Sequence, residues 1–233
     1  MERRRFFLRQ CAGLALGLWL GVGCVQGPSE AESPLAAPAL GQVDTATIDA
    51  CMVCHSTREM QRGPVLDGLP EWYLAEQLRN FKSGHRGKNP ANRAEALMGA
   101  AMAKVGTEAQ LAALARHFAG RKPQPYIRVV RGNIAIGRAQ YATRCASCHG
   151  AKGEGKPEIK SPPVNVQEDW FLLDQLRKYA NGQRSVHPSD AGGLVMKAAL
   201  AGLSPGDFQN MAAYIARDLT VTPPLQKVGP PKK

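Results

Sequence analysis

Apolar residues recur along this chain at helical spacing, and they do so twice. Leu74, Leu78 and Phe81 form an i, i+4, i+7 stripe, and Leu172, Leu176 and Tyr179 repeat it. Gly84 and Gly182 stand where such helices would stop, because glycine accepts the left-handed backbone of a C′ position. Downstream of the first stripe, Thr107 and Gln110 make a capping box ahead of Leu111, Leu114, Ala115 and Phe118. Ser204, with Pro205 at the first helical position and Asp207 in the first turn, opens the matching segment of Phe208, Met211, Ala212, Ile215 and Leu219. Ile127–Val130 is the one candidate for a strand, and it is too short to establish one. The pattern predicts an all-α chain.

The doubling extends to residue identities. Residues 64–98 lie without a gap on 162–196 at a constant offset of 98, with 10 of 35 positions identical. Ordinary composition would give roughly two matches. The identities include Trp72/Trp170, Gln77/Gln175, Arg86/Arg184 and Met98/Met196. Two tandem units follow, at 44–121 and 128–220, joined by a linker at 122–127 that contains Pro123 and Pro125. Each is small for a self-sufficient core, so something apolar enclosed in it would help.

The candidate chemistry supplies such a group. Cys51-Met52-Val53-Cys54-His55 and Cys145-Ala146-Ser147-Cys148-His149 are both C-x-x-C-H, the attachment motif of a c-type haem. Cysteines one helical turn apart can bond two vinyl groups on one porphyrin edge, and the next histidine reaches the iron. A zinc site would join the two motifs across a short loop, yet roughly ninety residues separate them. A thioredoxin-type pair has no use for the histidine. Two covalently bound haems c are expected. Of the 6 cysteines the motifs take four, leaving Cys11 and Cys24 near the start and nothing for a disulfide framework.

Each iron then needs a second axial ligand, and methionine is a common one in c-type cytochromes. Met98 and Met196 fall in register, and the four-residue difference in their spacing from His55 and His149 is an insertion in the second copy. Met102, one turn past Met98, is the rival, but its repeat mate is Leu200, which cannot ligate iron. His85 aligns with Gln183 and His187 with Asn89, so neither histidine recurs; both read as solvated loop residues. The expected metal ligands are His55, Met98, His149 and Met196, with Cys51, Cys54, Cys145 and Cys148 completing the haem-binding set.

The first 24 residues read as an export signal: Arg3, Arg4, Arg5 and Arg9, then an uncharged apolar run from Cys11 to Gly23, short for a membrane span. The arginines also resemble a twin-arginine signal; an ordinary basic start is the better reading, since haem is attached to an unfolded chain outside the membrane. Gly21-Val22-Gly23-Cys24 resembles a lipobox, which would anchor the mature chain through a lipid on Cys24; plain cleavage nearby would instead free it. Residues 25–43 suit a flexible tether, and 221–233 form a basic, proline-rich tail.

Taken together, paired C-x-x-C-H units, a W-Y/F-L-x-x-Q-L-R-x-F/Y-x-x-G-x-R helix and a later methionine resemble the dihaem class I cytochromes c of the cytochrome c4 family. The resemblance covers most of residues 45–219. It implies two tandem class I cytochrome c domains, each enclosing one haem, with His/Met ligation and the haems close at the interface. It further implies periplasmic electron transfer toward a terminal oxidase. It also implies that the carbonyls of Pro64 and Pro162 steady the haem histidines. Two departures stand out. Ser56 follows the first motif where Gly150 follows the second, and the first unit lacks a helix like residues 137–141.

Closed six-coordinate irons leave a one-electron change as the useful event, so the chain is read as a carrier and not an enzyme. Its redox partners would be an oxidase and a quinol- or substrate-oxidising complex. The alternative is a dedicated electron acceptor for a periplasmic dehydrogenase of thiosulfate, sulfite or an alcohol. A dihaem peroxidase ranks third, because both copies keep the methionine. Without residues 1–23 the chain has 26 Lys and Arg against 18 Asp and Glu, a net +8, from which haem propionates would subtract up to four. This moderately basic surface favours an acidic partner patch or an anionic membrane surface. Basic-aromatic interleaving is missing, which argues against nucleic acid.

Overall fold

Several helices here begin where the chain supplies a side chain for their free N–H groups. Asp44 accepts from Thr47 N at 2.7 Å and opens α1 (Thr45–His55). Glu71–Ser83 is α2, and Gly84 at φ 81° ends it as expected. Asn92 caps α3 (Arg93–Met102), and the Thr107–Gln110 box forms at the start of α4 (Glu108–Ala119). The computed structural model describes residues 43–56 and 62–222. The expected export signal with Cys11 and Cys24, nearly all of the tether and most of the tail lie outside the described residues.

The second copy runs α5 (Ile134–Arg144), a single turn α6 (Ala146–His149), α7 (Asp169–Ala180), α8 (Ala191–Ala199) and α9 (Pro205–Tyr214), which closes on one π turn, Ile215–Leu219. The Ser204–Asp207 box caps α9. Among the described residues no β-strand forms beyond isolated bridging, such as Lys156 with Ser161, so the chain is all-α. The stretch at 127–130 lacks a partner strand; its Val129 and Val130 amides donate instead to Asp169 Oδ2, at 2.7 and 2.8 Å.

Two cores result. Leu74, Leu78 and Phe81 of α2 meet Leu111, Leu114 and Phe118 of α4, with Met102 from α3. Tyr141 of α5, Leu172, Leu173 and Tyr179 of α7 and Phe208, Met211 and Ile215 at α9 make the second. Leu111 and Leu114 are almost fully buried, each contributing about 2 kcal/mol of apolar burial. In the second core α5 crosses α9 so closely at Gly137 that an added Cβ would lie 2.1 Å from the Asn210 carbonyl oxygen. The first copy differs: α1 carries the C-x-x-C-H motif in its own last turns and buries no residue.

The copies meet through the loops that follow α2 and α7 and through the segments that lead into those helices. Asn89 Nδ2 donates to the Gln183 carbonyl at 3.0 Å, and Val65 N donates to Glu168 Oε2 at 2.8 Å. His85 and His187, expected as separate solvated loop residues, instead stack on each other with ring centroids 4.4 Å apart.

Candidate haem sites

The two motif turns are set by local backbone bonds. In the first, Arg62 N and Gly63 N both donate to the Cys54 carbonyl, bringing the following chain back over His55. Gly63 lies flat against the imidazole, where a Cβ would sit 2.7 Å from His55 Cε1. In the second, Gly155 N donates to the His149 carbonyl at 2.8 Å. The carbonyl oxygens of Pro64 and Pro162 lie 2.6 and 2.8 Å from His55 Nδ1 and His149 Nδ1. A carbonyl can only accept, so each Nδ1 carries the proton and each Nε2 keeps its lone pair.

Burial lowers the pKa of both histidines, against the Pro64 bond and the Glu168 charge at His55 and against the Pro162 bond at His149. Both imidazoles are therefore held neutral, the form a metal takes. None of the four motif cysteines is in a disulfide; as thiols, burial would raise the pKa of Cys51, and that of Cys145 to about 11. Among the described residues no group of three or more His, Cys, Asp or Glu side chains is gathered as a zinc site would need. At both motifs two cysteines on one turn and a neutral histidine with a free Nε2 fit a covalently held haem, and at the first a glycine backs the ring.

The methionines separate by environment. Met102 is 2% exposed and Leu200 4%, so these repeat mates both lie inside their cores. Met98 and Met196 are only partly buried, at the edges of the first and second cores. His85 and His187 face each other, as described above.

Two supports were not readable from the motifs. Ser161, at the repeat position of Gly63, places its Oγ 3.2 Å from His149 Nδ1, so that N–H is shared between Pro162 and a hydroxyl. Tyr141 OH donates to the Gly150 carbonyl at 2.7 Å, tying α5 to the end of the motif. Gly150 sits at φ 81° whereas Ser56 is extended at φ −88°, which explains why the first motif tolerates serine there. Tyr141→Phe removes one of that carbonyl's two donors, leaving Gly153 N at 3.2 Å. The expected loss is about 1 kcal/mol, read as a lower urea midpoint at unchanged slope.

Comparison with known proteins converges on this chemistry. A family model described as Cytochrome c matches residues 134–217, the second copy. The thiosulfate dehydrogenase electron acceptor of Thiomonas intermedia is 30% identical over 195 residues, 78% of this chain and 84% of the relative. Cytochrome c4 of Azotobacter vinelandii is 26% identical over 185 residues, 76% of this chain and 87% of that one. The solved cytochrome c4 of Acidithiobacillus ferrooxidans shares the fold with a TM-score of 0.57 at 24% identity, over 72% of this chain and 97% of its own. An all-α chain with two motif-bearing copies, two covalent haems c and electron transfer as its work is thereby accounted for, and the chain belongs to the cytochrome c4 family of dihaem class I cytochromes c.

Proposed function

We propose that Cys51 and Cys54 bind the first haem covalently and Cys145 and Cys148 the second, that His55 and Met98 ligate the first iron, and that His149 and Met196 ligate the second. The chain then passes single electrons between periplasmic respiratory partners, toward a terminal oxidase. The observation that carries this is the matched pair of Nδ1–carbonyl bonds, His55 to Pro64 and His149 to Pro162, recurring in both copies. When bound, haem supplies the one-electron Fe(II)/Fe(III) change. The chain's residues do the rest. The proline carbonyls fix each ring and raise its basicity, the cores exclude water, and thioether sulfur favours the ferrous state.

Redox titration of the holoprotein, with spectra across the methionine-to-iron charge-transfer band, tests the assignment. Two one-electron steps with that band present are expected. Met98→Leu removes the band from one haem, whereas Met102→Leu keeps both and costs only packing. Turnover of peroxide by the wild type, or a five-coordinate high-spin haem, would overturn the carrier reading.

A second reading is favoured by one observation, the likeness to a thiosulfate dehydrogenase electron acceptor. In it the donor is a catalytic chain held in a stable complex. Co-purification with such a chain, and haem reduction by thiosulfate only in its presence, separates this reading from a mobile carrier. Among the described residues no helix is long and apolar enough to cross a membrane. A lipid on Cys24 is the membrane tether this reading allows.

A further inference from the structure

Where the copies meet, two arginines from equivalent repeat positions are buried together. Arg86 is 8% exposed and Arg184 6%, and each guanidinium lies 4.4 Å from an aromatic centroid of its own copy, Phe81 and Tyr179. Each also donates to the matching glutamine, Arg86 to Gln77 and Arg184 to Gln175. The Nε atoms of both are buried without a hydrogen-bond partner. The symmetry ends with the anion. Glu95, 6% exposed, bonds Arg86 directly and lies 3.9 Å from Arg184 Nε of the other copy. Its repeat position in the second copy is Gly193, where a Cβ would lie 1.9 Å from Ser185 Oγ.

The nearest substitute in the second copy is already engaged. Asp190 accepts from Ser185 Oγ at 2.9 Å and from Gly193 N at 3.1 Å, capping α8. Among the described residues, Glu95 is thus the carboxylate within ion-pair distance of both arginines. It also stands three residues before Met98 on α3, hence on the same face and about 5–6 Å away between Cβ atoms. Met196 has Gly193 in that place. In a buried site a charge at such range is weakly screened.

We infer that Glu95 is a positioning residue shared by the two domains: its carboxylate anchors Arg86, attracts Arg184 across the junction, and lowers the potential of the first haem more than that of the second. This rests on the ligand assignment proposed above. The second domain has glycine at the equivalent position, so Glu95 adds a charge difference between the two sites to those already made by Glu168 at His55 and by Ser161 at His149.

The full-length dihaem protein is titrated as wild type, Glu95→Gln, Glu95→Asp and Arg184→Gln. Glu95→Gln keeps size and hydrogen bonding but deletes the charge. Both potentials should rise, one more than the other, with the larger shift at least a threefold change in the Fe(II)/Fe(III) ratio at fixed poise. At 59 mV per decade that is about 30 mV. Glu95→Asp should restore part of the shift. Arg184→Gln removes a buried cation, so its shift should run downward. A merely structural role would change stability without this pair of opposite signs. Unchanged potentials in a dihaem Glu95→Gln protein overturn the inference. If that variant does not accumulate, Arg184→Gln decides: a downward shift supports the inference, and no shift or an upward one overturns it. A wild type without two reversible steps refutes the ligand assignment instead.

Discussion

Replacing Cys145 and Cys148 together by alanine is expected to yield a protein with one haem, one redox step and an unfolded second domain. The reason is size. A unit of about 90 residues buries too little surface to be comfortable, and its core is organised around the motif turn. Cys145 packs against that core with its Sγ 3.8 Å from Met211 Sδ, and Met211 is almost fully buried. Without thioether bonds the porphyrin is free to leave, and the apolar faces it covers return to water at about 25 cal/mol per Å². For a domain whose net stability is of order 5–15 kcal/mol, losing a few hundred Å² of burial is decisive. Intact mass falls by one haem, the helical signal falls by roughly half, and titration shows a single step. A variant that keeps two haems would place the attachment elsewhere.

Gly137→Ala has the second largest expected effect, and its sign depends on which of two terms is larger. Helix propensity alone favours alanine by about 1 kcal/mol in the middle of α5. The new methyl, however, would sit 2.1 Å from Asn210 O and 2.9 Å from Tyr214 Cβ, so the backbone of α9 must move. Overpacking against side chains costs about 1–3 kcal/mol, and a backbone atom yields less easily than a side-chain end. A net loss of about 2–4 kcal/mol is expected, roughly 8–32 °C in the melting of the second domain at about 4–8 °C per kcal/mol. Gly192→Ala is the control. It lies in α8 with nothing within 4 Å of the new Cβ, and is expected to be neutral or stabilising by up to about 1 kcal/mol. Thermal melts of the two holoproteins should move in opposite directions. Equal shifts would mean that the α5–α9 crossing is looser than described.

Much of this architecture was legible in the sequence because it is local. A capping box such as Thr107 with Gln110 is decided within four residues, and the left-handed stop at Gly84 within one turn of its helix. The repeat added information that local pattern lacks, since it made Met102 and Leu200 mates and the structure buries both. What the sequence did not disclose is non-local. The His85–His187 stack joins positions that are not repeat mates, so neither periodicity nor register could pair them. Ser161 reads as an ordinary loop serine until the chain brings it to His149, and Glu95 as a surface carboxylate until both arginines are seen around it. The close crossing at Gly137 is likewise invisible in a helical pattern, where glycine looks only like a weak helix former.

The plain α1 helix carries a consequence for how this protein comes into being. Apart from the half-buried Cys51 and Met52, it leans on nothing in its own core, so packing alone does little to hold it there. Its mooring is chemical. With the proposed haem in place, the amino-terminal half is moored by its two sulfur bonds with little help from packing, whereas in the carboxy-terminal half α5 wedged across α9 reinforces the same stitches.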